Sequence, residues 1–240
     1  MGFSLKPVIN FIFPPVCSIC KTHFIPEEET GICPNCLSEI KYIESPLCIL
    51  CGKPFYSEVL TDHLCGDCIT GEKCFSKARA VGYYDGVLRK AIHLFKYKLK
   101  NYLALTLGNI MSCQMQYLLK GATYHSIIPV PLHPKRLRER GFNQALFLAR
   151  SVSRKYEIPL DSYSLTRDRW TKPQVGLSER DRKENVKNAF FLLNNSKVKD
   201  KDILLVDDVY TSGNTAEECS RVLLEAGAQK VDVLTLARVS

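Results

Sequence analysis

A chain of 240 residues with 45% hydrophobic and 24% charged side chains is too long for a mini-protein and has room for one domain core plus a small extra module. The net charge of +8 suits an anionic partner such as a phosphate, a nucleotide or nucleic acid, but charge governs association rather than fold and names none of them. No stretch reaches the roughly 18 apolar residues of a membrane span.

The chain opens on an apolar segment that includes Phe3, Leu5, Val8, Ile9, Phe11, Ile12 and Phe13. A signal peptide is the competing reading. Lys6, Pro7 and Asn10 interrupt the run, and a small-x-small cleavage site is lacking. The segment is therefore expected to pack on the body of the protein and the compartment to be cytoplasmic, where paired cysteines bind metal more often than they form disulfides.

Nine of the eleven cysteines lie in the first 74 residues, and only Cys113 and Cys219 lie beyond. This change of composition sets the expected boundary, with a cysteine-rich module over residues 1–75 and a second domain over 76–240. The module holds four Cys-x-x-Cys pairs, Cys17/Cys20, Cys33/Cys36, Cys48/Cys51 and Cys65/Cys68, in an internal repeat of 31 to 32 residues. Two residues between cysteines let one tight turn aim both sulfurs at a single ion, and two such turns complete a tetrahedron at about 2.3 Å per Zn–S bond. Two structural zinc ions are expected, with neighbouring pairs sharing an ion; an interleaved pairing stays open. Metal binding would supply much of the folding energy of so small a module. Disulfides or redox pairs are the other reading, but no strand-helix-strand context surrounds these cysteines. His23, His63 and Cys74 are spare donors, not expected ligands. All-cysteine ligation leaves no open metal position, so the module suits a partner or nucleic acid better than catalysis.

Beyond residue 75 the pattern alternates. Ala80–Tyr84 reads as a short strand, and helical patterns cover 87–97 and 102–119. Ser126–Val130 is a buried strand, Gly141–Lys155 a helix and Tyr163–Thr166 a strand. Ile203–Val206 is a further strand. Asn214–Ala226 is a helix with Ala216, Cys219, Val222, Leu223 and Ala226 on one face and Gly227 as its cap; Val231–Leu236 is the last strand. Such alternation implies an α/β fold, a parallel sheet flanked by helices.

The segment Ile203–Thr215 reads ILLVDDVYTSGNT. An apolar strand ends in Asp207 and Asp208, and a loop of Thr211, Ser212, Gly213, Asn214 and Thr215 opens a helix. Ligands of open α/β sheets bind at this end of the strands. Loop amides and a helix amino terminus make a phosphate site, Gly213 permits close backbone approach, and the hydroxyls add donors. Two carboxylates would repel a bare phosphate; they make sense if they accept hydrogen bonds from sugar hydroxyls or sit near a metal.

This segment resembles the motif that binds 5-phosphoribosyl-1-pyrophosphate (PRPP) in type I phosphoribosyltransferases. IIPVPLHPKRLRERGFNQA (Ile127–Ala145) and KPQVGLSERDRKENVKNAF (Lys172–Phe190) resemble segments of the ComF/GntX competence family, and the doubled cysteine pairs are similar to that family's zinc module. The resemblance implies the type I phosphoribosyltransferase fold behind a double zinc ribbon. It implies that Asp207 and Asp208 contact the ribose 2- and 3-hydroxyls, that residues 211 to 215 hold the 5-phosphate, and that the role lies in DNA uptake during natural transformation.

Two basic stretches remain. Lys135, Arg136, Arg138 and Arg140 follow a buried strand, where a loop could meet the pyrophosphate of PRPP or a nucleic-acid backbone; a solvated surface is the plainer reading. Arg167–Lys187 is also basic, and by resemblance it is the region of a mobile catalytic loop. Lys172 and Arg180 are the candidates there for contacts to the departing pyrophosphate. Trp170 could stack a base among these cations or pack in a core. The run Leu94–Lys100 reads as a helix edge.

Two functions stay open. An enzyme would displace pyrophosphate from C1 of PRPP with Mg2+ as clamp, and Asp207 or Asp208 could act as a base. A binding protein would keep PRPP as a structural or regulatory ligand while working on single-stranded DNA or docking DNA-uptake proteins.

Overall fold

The computed structural model describes residues 15–25, 31–56, 60–97, 101–170 and 186–239. In chain order the elements are α1 (Pro34–Ser38), α2 (Gly66–Thr70), β1 (Lys77–Tyr83), α3 (Gly86–Tyr97), α4 (Asn101–Leu118), β2 (Ser126–Pro129), α5 (Pro134–Arg140), α6 (Gln144–Tyr156), β3 (Leu165–Arg167), β4 (Phe190–Leu192), β5 (Asp202–Tyr210), α7 (Asn214–Glu225) and β6 (Lys230–Arg238). Most of the apolar amino-terminal segment, residues 1–14, lies outside the described residues.

Ile203–Val206 and Val231–Ala237 are buried throughout, as strands covered on both faces must be. They form the centre of a four-stranded parallel sheet in the order β1-β6-β5-β2. Side chains alternate across it. Leu204, Val206, Leu234 and Leu236 face α3, α4 and α6, while Ile203, Leu205, Val231 and Val233 face α7 and the β3–β4 hairpin.

The cysteine pairs join these two cores. Cys17, Cys33 and Cys36 pack in the first, with α3 and α4, and Cys48, Cys51, Cys65 and Cys68 pack in the second, with Phe75, Tyr210 and α7. Backbone bonds tie the two parts together: Ala78 N donates to Leu50 O at 2.7 Å and Ile43 N to Val81 O at 3.0 Å.

Three details depart from expectation. Residues 134–140 form a helix rather than a loop, because Pro134 sits in its first turn, the His133 ring accepts from Lys135 N, and Gly141 ends it in the left-handed conformation. β5 continues past both aspartates to Tyr210, because β6 pairs with it as far as Tyr210 opposite Arg238. β4 is a strand that the sequence pattern does not mark; it pairs with β3, and its Phe190 is buried in the second core.

Candidate functional site

Each cysteine knuckle is a tight turn closed by its own backbone. Lys21 N donates to Cys17 O at 3.0 Å and Gly52 N to Cys48 O at 2.9 Å, and both Lys21 and Gly52 adopt positive φ. At the second knuckle a side chain is barred, since a Cβ on Gly52 would stand 2.5 Å from Ala78 O. The partner pairs each lead into one helical turn, α1 after Cys33 and α2 after Cys65.

Neighbouring pairs converge. The sulfurs of Cys17, Cys20, Cys33 and Cys36 lie within 4.8 Å of one another, as do those of Cys48, Cys51, Cys65 and Cys68. The Cys20–Cys33 and Cys51–Cys65 sulfurs are 3.6 and 3.7 Å apart. Four sulfurs at about 2.3 Å from one ion would be about 3.8 Å apart at the corners of a tetrahedron, and a disulfide needs about 2.05 Å. The two tetrads therefore fit two structural zinc ions, and the interleaved pairing is excluded. His63 stacks on Phe55 with ring centroids 3.9 Å apart, and His23, His63 and Cys74 stand outside both tetrads.

Crowding within the tetrads splits their acidities. Burial, then the neighbouring sulfurs, push Cys36 and Cys68 up. At Cys48 burial is outweighed by the amides of Cys65, Cys51 and Leu50, which bring it to about 6. The Thr22 side chain and amide bring Cys20 to about 6. A divalent cation relieves this repulsion by holding all four sulfurs as thiolates.

The second site forms at the carboxyl end of β5. Asp208 N donates to Asp207 Oδ1 at 2.8 Å. Burial first, then the Asp208 charge, push the Asp207 carboxyl up to about 7; Lys96 and Arg167 oppose that rise. Lys96, from α3, places its ammonium 3.0 Å from Asp208 Oδ2. The loop turns at Gly213, which has φ 82° and precedes α7. A Cβ there would collide with the Tyr210 ring, 2.6 Å from Cζ. The Ser212 hydroxyl oxygen is buried without a hydrogen-bond partner among the described residues. Asp207, Thr211, Gly213 and Thr215 border a small cleft together with Val130. The carboxyl end of β5 thus gathers the Asp207 carboxyl, the Thr211 and Thr215 side chains and a helix amino terminus around one cleft. A carboxylate there can accept from hydroxyl groups, and the amides at a helix amino terminus favour an anion.

The basic residues flank it. Val130 N donates to Val206 O at 2.8 Å, so the chain leaving β2 runs beside Asp207 and leads into α5. Lys135 Nζ lies 4.6 Å and Arg136 Cζ 5.6 Å from the Trp170 ring centroid, and the His133 ring meets Trp170 edge-on at 5.1 Å. Trp170 is 40% exposed, which rules out the core reading. Arg138 is exposed, and Arg140 donates to Gln144 Oε1 at 3.1 Å. Buried Arg167 lies between the two groups: burial, then repulsion from Arg136, pull its guanidinium down, while Asp207 opposes the drop.

Comparison with known proteins agrees with this geometry. The double zinc ribbon domain family matches residues 8–69, and the phosphoribosyl transferase domain family matches residues 143–240. Competence protein F of Haemophilus influenzae is 33% identical over 216 residues, covering 88% of this chain and 91% of that protein. The chain belongs to the ComF competence-protein family. The DNA utilization protein YhgH of Escherichia coli K12 is 32% identical over 229 residues, or 94% of this chain and 97% of that protein. Competence protein ComFC of Bacillus subtilis is 27% identical over 222 residues, or 90% and 87%.

In this ComF-family chain the fold is the phosphoribosyltransferase type behind two cysteine tetrads. Among the described residues no helix is long and apolar enough to cross a membrane. The structure brings Asp207 and Asp208 together with the loop 211–215. It sets Lys135, Arg136 and Trp170 in one cluster beside them. Lys172 and Arg180 lie outside the described residues. Sequence reasoning missed Lys96, which reads as part of a helix edge, and Arg167. No local signal marks either, since each acquires its neighbour through packing.

Proposed function

We propose that this chain binds PRPP with Mg2+ at the carboxyl end of β5 and serves DNA uptake, with residues 1–75 as a zinc module and 76–240 as the phosphoribosyltransferase-type domain. The observation that carries the reading is the unused Ser212 hydroxyl, buried one residue ahead of the Gly213 cap of α7 and four residues beyond the acidic pair. In this reading Asp207 and Asp208 accept from the ribose hydroxyls. The amides and hydroxyls of residues 211–215 hold the 5-phosphate. Arg136 and Arg167 face the pyrophosphate. Magnesium, when bound, neutralises pyrophosphate oxygens and so eases departure of that group. The names of the relatives, competence and DNA utilization proteins, support the biological role.

The test is calorimetric titration of the zinc-loaded chain with PRPP and MgCl2. Binding in the wild type, lost in Asp207→Asn with Asp208→Asn, is the expected result; equal affinity in both proteins overturns the site. Release of pyrophosphate with a supplied acceptor separates transferase from ligand-binding protein.

A second reading has its own observation. The half-exposed Trp170 under Lys135 and Arg136 is a platform on which a base can stack while cations hold its phosphates. It points to single-stranded DNA beside the PRPP cleft.

A further inference from the structure

We infer that the second cysteine tetrad sets the shape of the 211–215 loop through Arg238 and Tyr210, which makes these two side chains positioning residues for the cleft. The path is short and continuous. Arg238 Nη1 donates to Cys51 O at 2.7 Å, and its Nη2 lies 3.9 Å from Cys51 Sγ. The same guanidinium covers the Tyr210 ring, 4.4 Å from its centroid. The edge of that ring meets Phe75 at 6.4 Å. The hydroxyl end of the ring fills the space that a Gly213 side chain would need, so the turn that launches α7 rests on it.

Each link is constrained. Arg238 and Tyr210 are 9% and 5% exposed and stand opposite each other in β6 and β5, so neither side chain has room to swing away. A buried guanidinium needs a compensating charge. Four thiolates around one divalent ion leave a net charge of about −2, and the second tetrad places that charge against Arg238. Arg79, also buried, donates to Cys48 O and Ile49 O at 3.4 and 3.0 Å and holds the other side of the same knuckle. Loss of the ion would change both the charge facing Arg238 and the position of the carbonyl it grips. The first tetrad supplies the contrast: it packs with α3 and α4 on the opposite face of the sheet, away from the loop.

The loop's amide mobility tests the coupling directly; only the effect on PRPP rests on the function proposed above. Hydrogen–deuterium exchange is followed in the full zinc-loaded chain for the segment 208–217, with α6 as internal reference and zinc content measured by mass spectrometry. Arg238→Gln is expected to speed exchange of the 211–215 amides at least tenfold with α6 unchanged. Arg238→Lys, which keeps the charge and loses the fork, is expected to fall between. Cys68→Ser in the second tetrad should loosen the loop, and Cys20→Ser in the first should not. PRPP affinity should weaken at least tenfold in Arg238→Gln. Loop exchange in Arg238→Gln within twofold of wild type, or acceleration shared equally by α6, overturns the inference whatever the zinc content. Failure of the wild type itself to bind PRPP, with the exchange pattern as expected, overturns the PRPP reading and leaves the coupling in place.

Discussion

The ammonium of Lys96 lies 3.0 Å from the carboxylate of Asp208, both side chains being largely buried. Two adjacent carboxylates at a strand end repel each other, and α3 delivers a cation that offsets this from the helix side of the sheet. Lys96→Met is therefore expected to lower stability at pH 8 by about 1–3 kcal/mol, or about 2–12 °C in Tm. Lys96 also helps hold down the Asp207 carboxyl, so its loss should move the Asp207 midpoint above about 7, read by carboxyl NMR. An unchanged midpoint would remove Lys96 from the site.

Asp207 itself makes a signed prediction. Its folded pKa of about 7 lies above the ordinary value of about 3.9. The folded protein therefore holds a proton that the unfolded chain has released. The contribution of this group to stability falls as pH rises from about 4 to about 7, and is flat above. Asp207→Asn removes that slope: its Tm should match wild type near pH 4 and exceed it at pH 8 by the equivalent of about 1–3 kcal/mol. PRPP binding should show the opposite trade. Affinity in the wild type is expected to rise between pH 6 and pH 8 as the carboxylate forms, more steeply than in Asp207→Asn.

Gly213 carries two constraints at once, a φ of 82° and the Tyr210 ring in contact with its α-carbon face. Gly213→Ala is expected to cost about 2–3 kcal/mol and to weaken PRPP binding at least tenfold. Gly213→Ala combined with Tyr210→Leu should recover part of the stability, because the second change clears the space for the methyl group. Additive losses in the double variant would show that the ring is not what crowds this position.

The two tetrads should lose metal at different rates. Cys20 is exposed, whereas all four cysteines of the second tetrad are buried. Extraction by a zinc-specific chelator is expected to be biphasic, the first tetrad emptying first. Cys20→Ser should abolish the fast phase and leave one zinc per chain. A single phase for both ions would mean that exposure does not govern release.

The α5–Trp170 cluster predicts a spectroscopic signal. Trp170 is the only tryptophan, so its emission should quench when a single-stranded oligonucleotide stacks on it. Lys135→Ala and Arg136→Ala should each reduce the salt slope of that binding by about 0.7, the share of one neutralised phosphate on a single strand. Quenching without a salt slope would exclude phosphate contact by these cations.

Much of the chemistry is legible in the order of residues because it is contiguous. A Cys-x-x-Cys knuckle is one turn, and its geometry is settled by residues three apart. The strand, acidic pair, hydroxyl loop and helix start of Ile203–Thr215 follow one another along the chain, so their spatial order repeats their sequence order. The limits of elements are less legible: β5 runs on to Tyr210 only because β6 lies beside it, and residues 134–140 are helical through capping at both ends.

The order of residues alone thus settles which residues sit within single turns and single strand–loop–helix units: eight cysteines in four knuckles, and the acidic pair just ahead of a hydroxyl loop. Which knuckles share an ion is decided by the tertiary structure. Which distant groups complete them is a matter of packing. Lys96 in LFKYKLK is chemically indistinguishable from any lysine at a helix edge until α3 is laid against the sheet beside Asp208. Nothing near Arg238 in the chain points to Cys51, from which it is separated by 187 residues. The strand order β1-β6-β5-β2 places β5 beside β6 and the second knuckle against β1. From this packing come the counter-charges and ring contacts that shape the cleft.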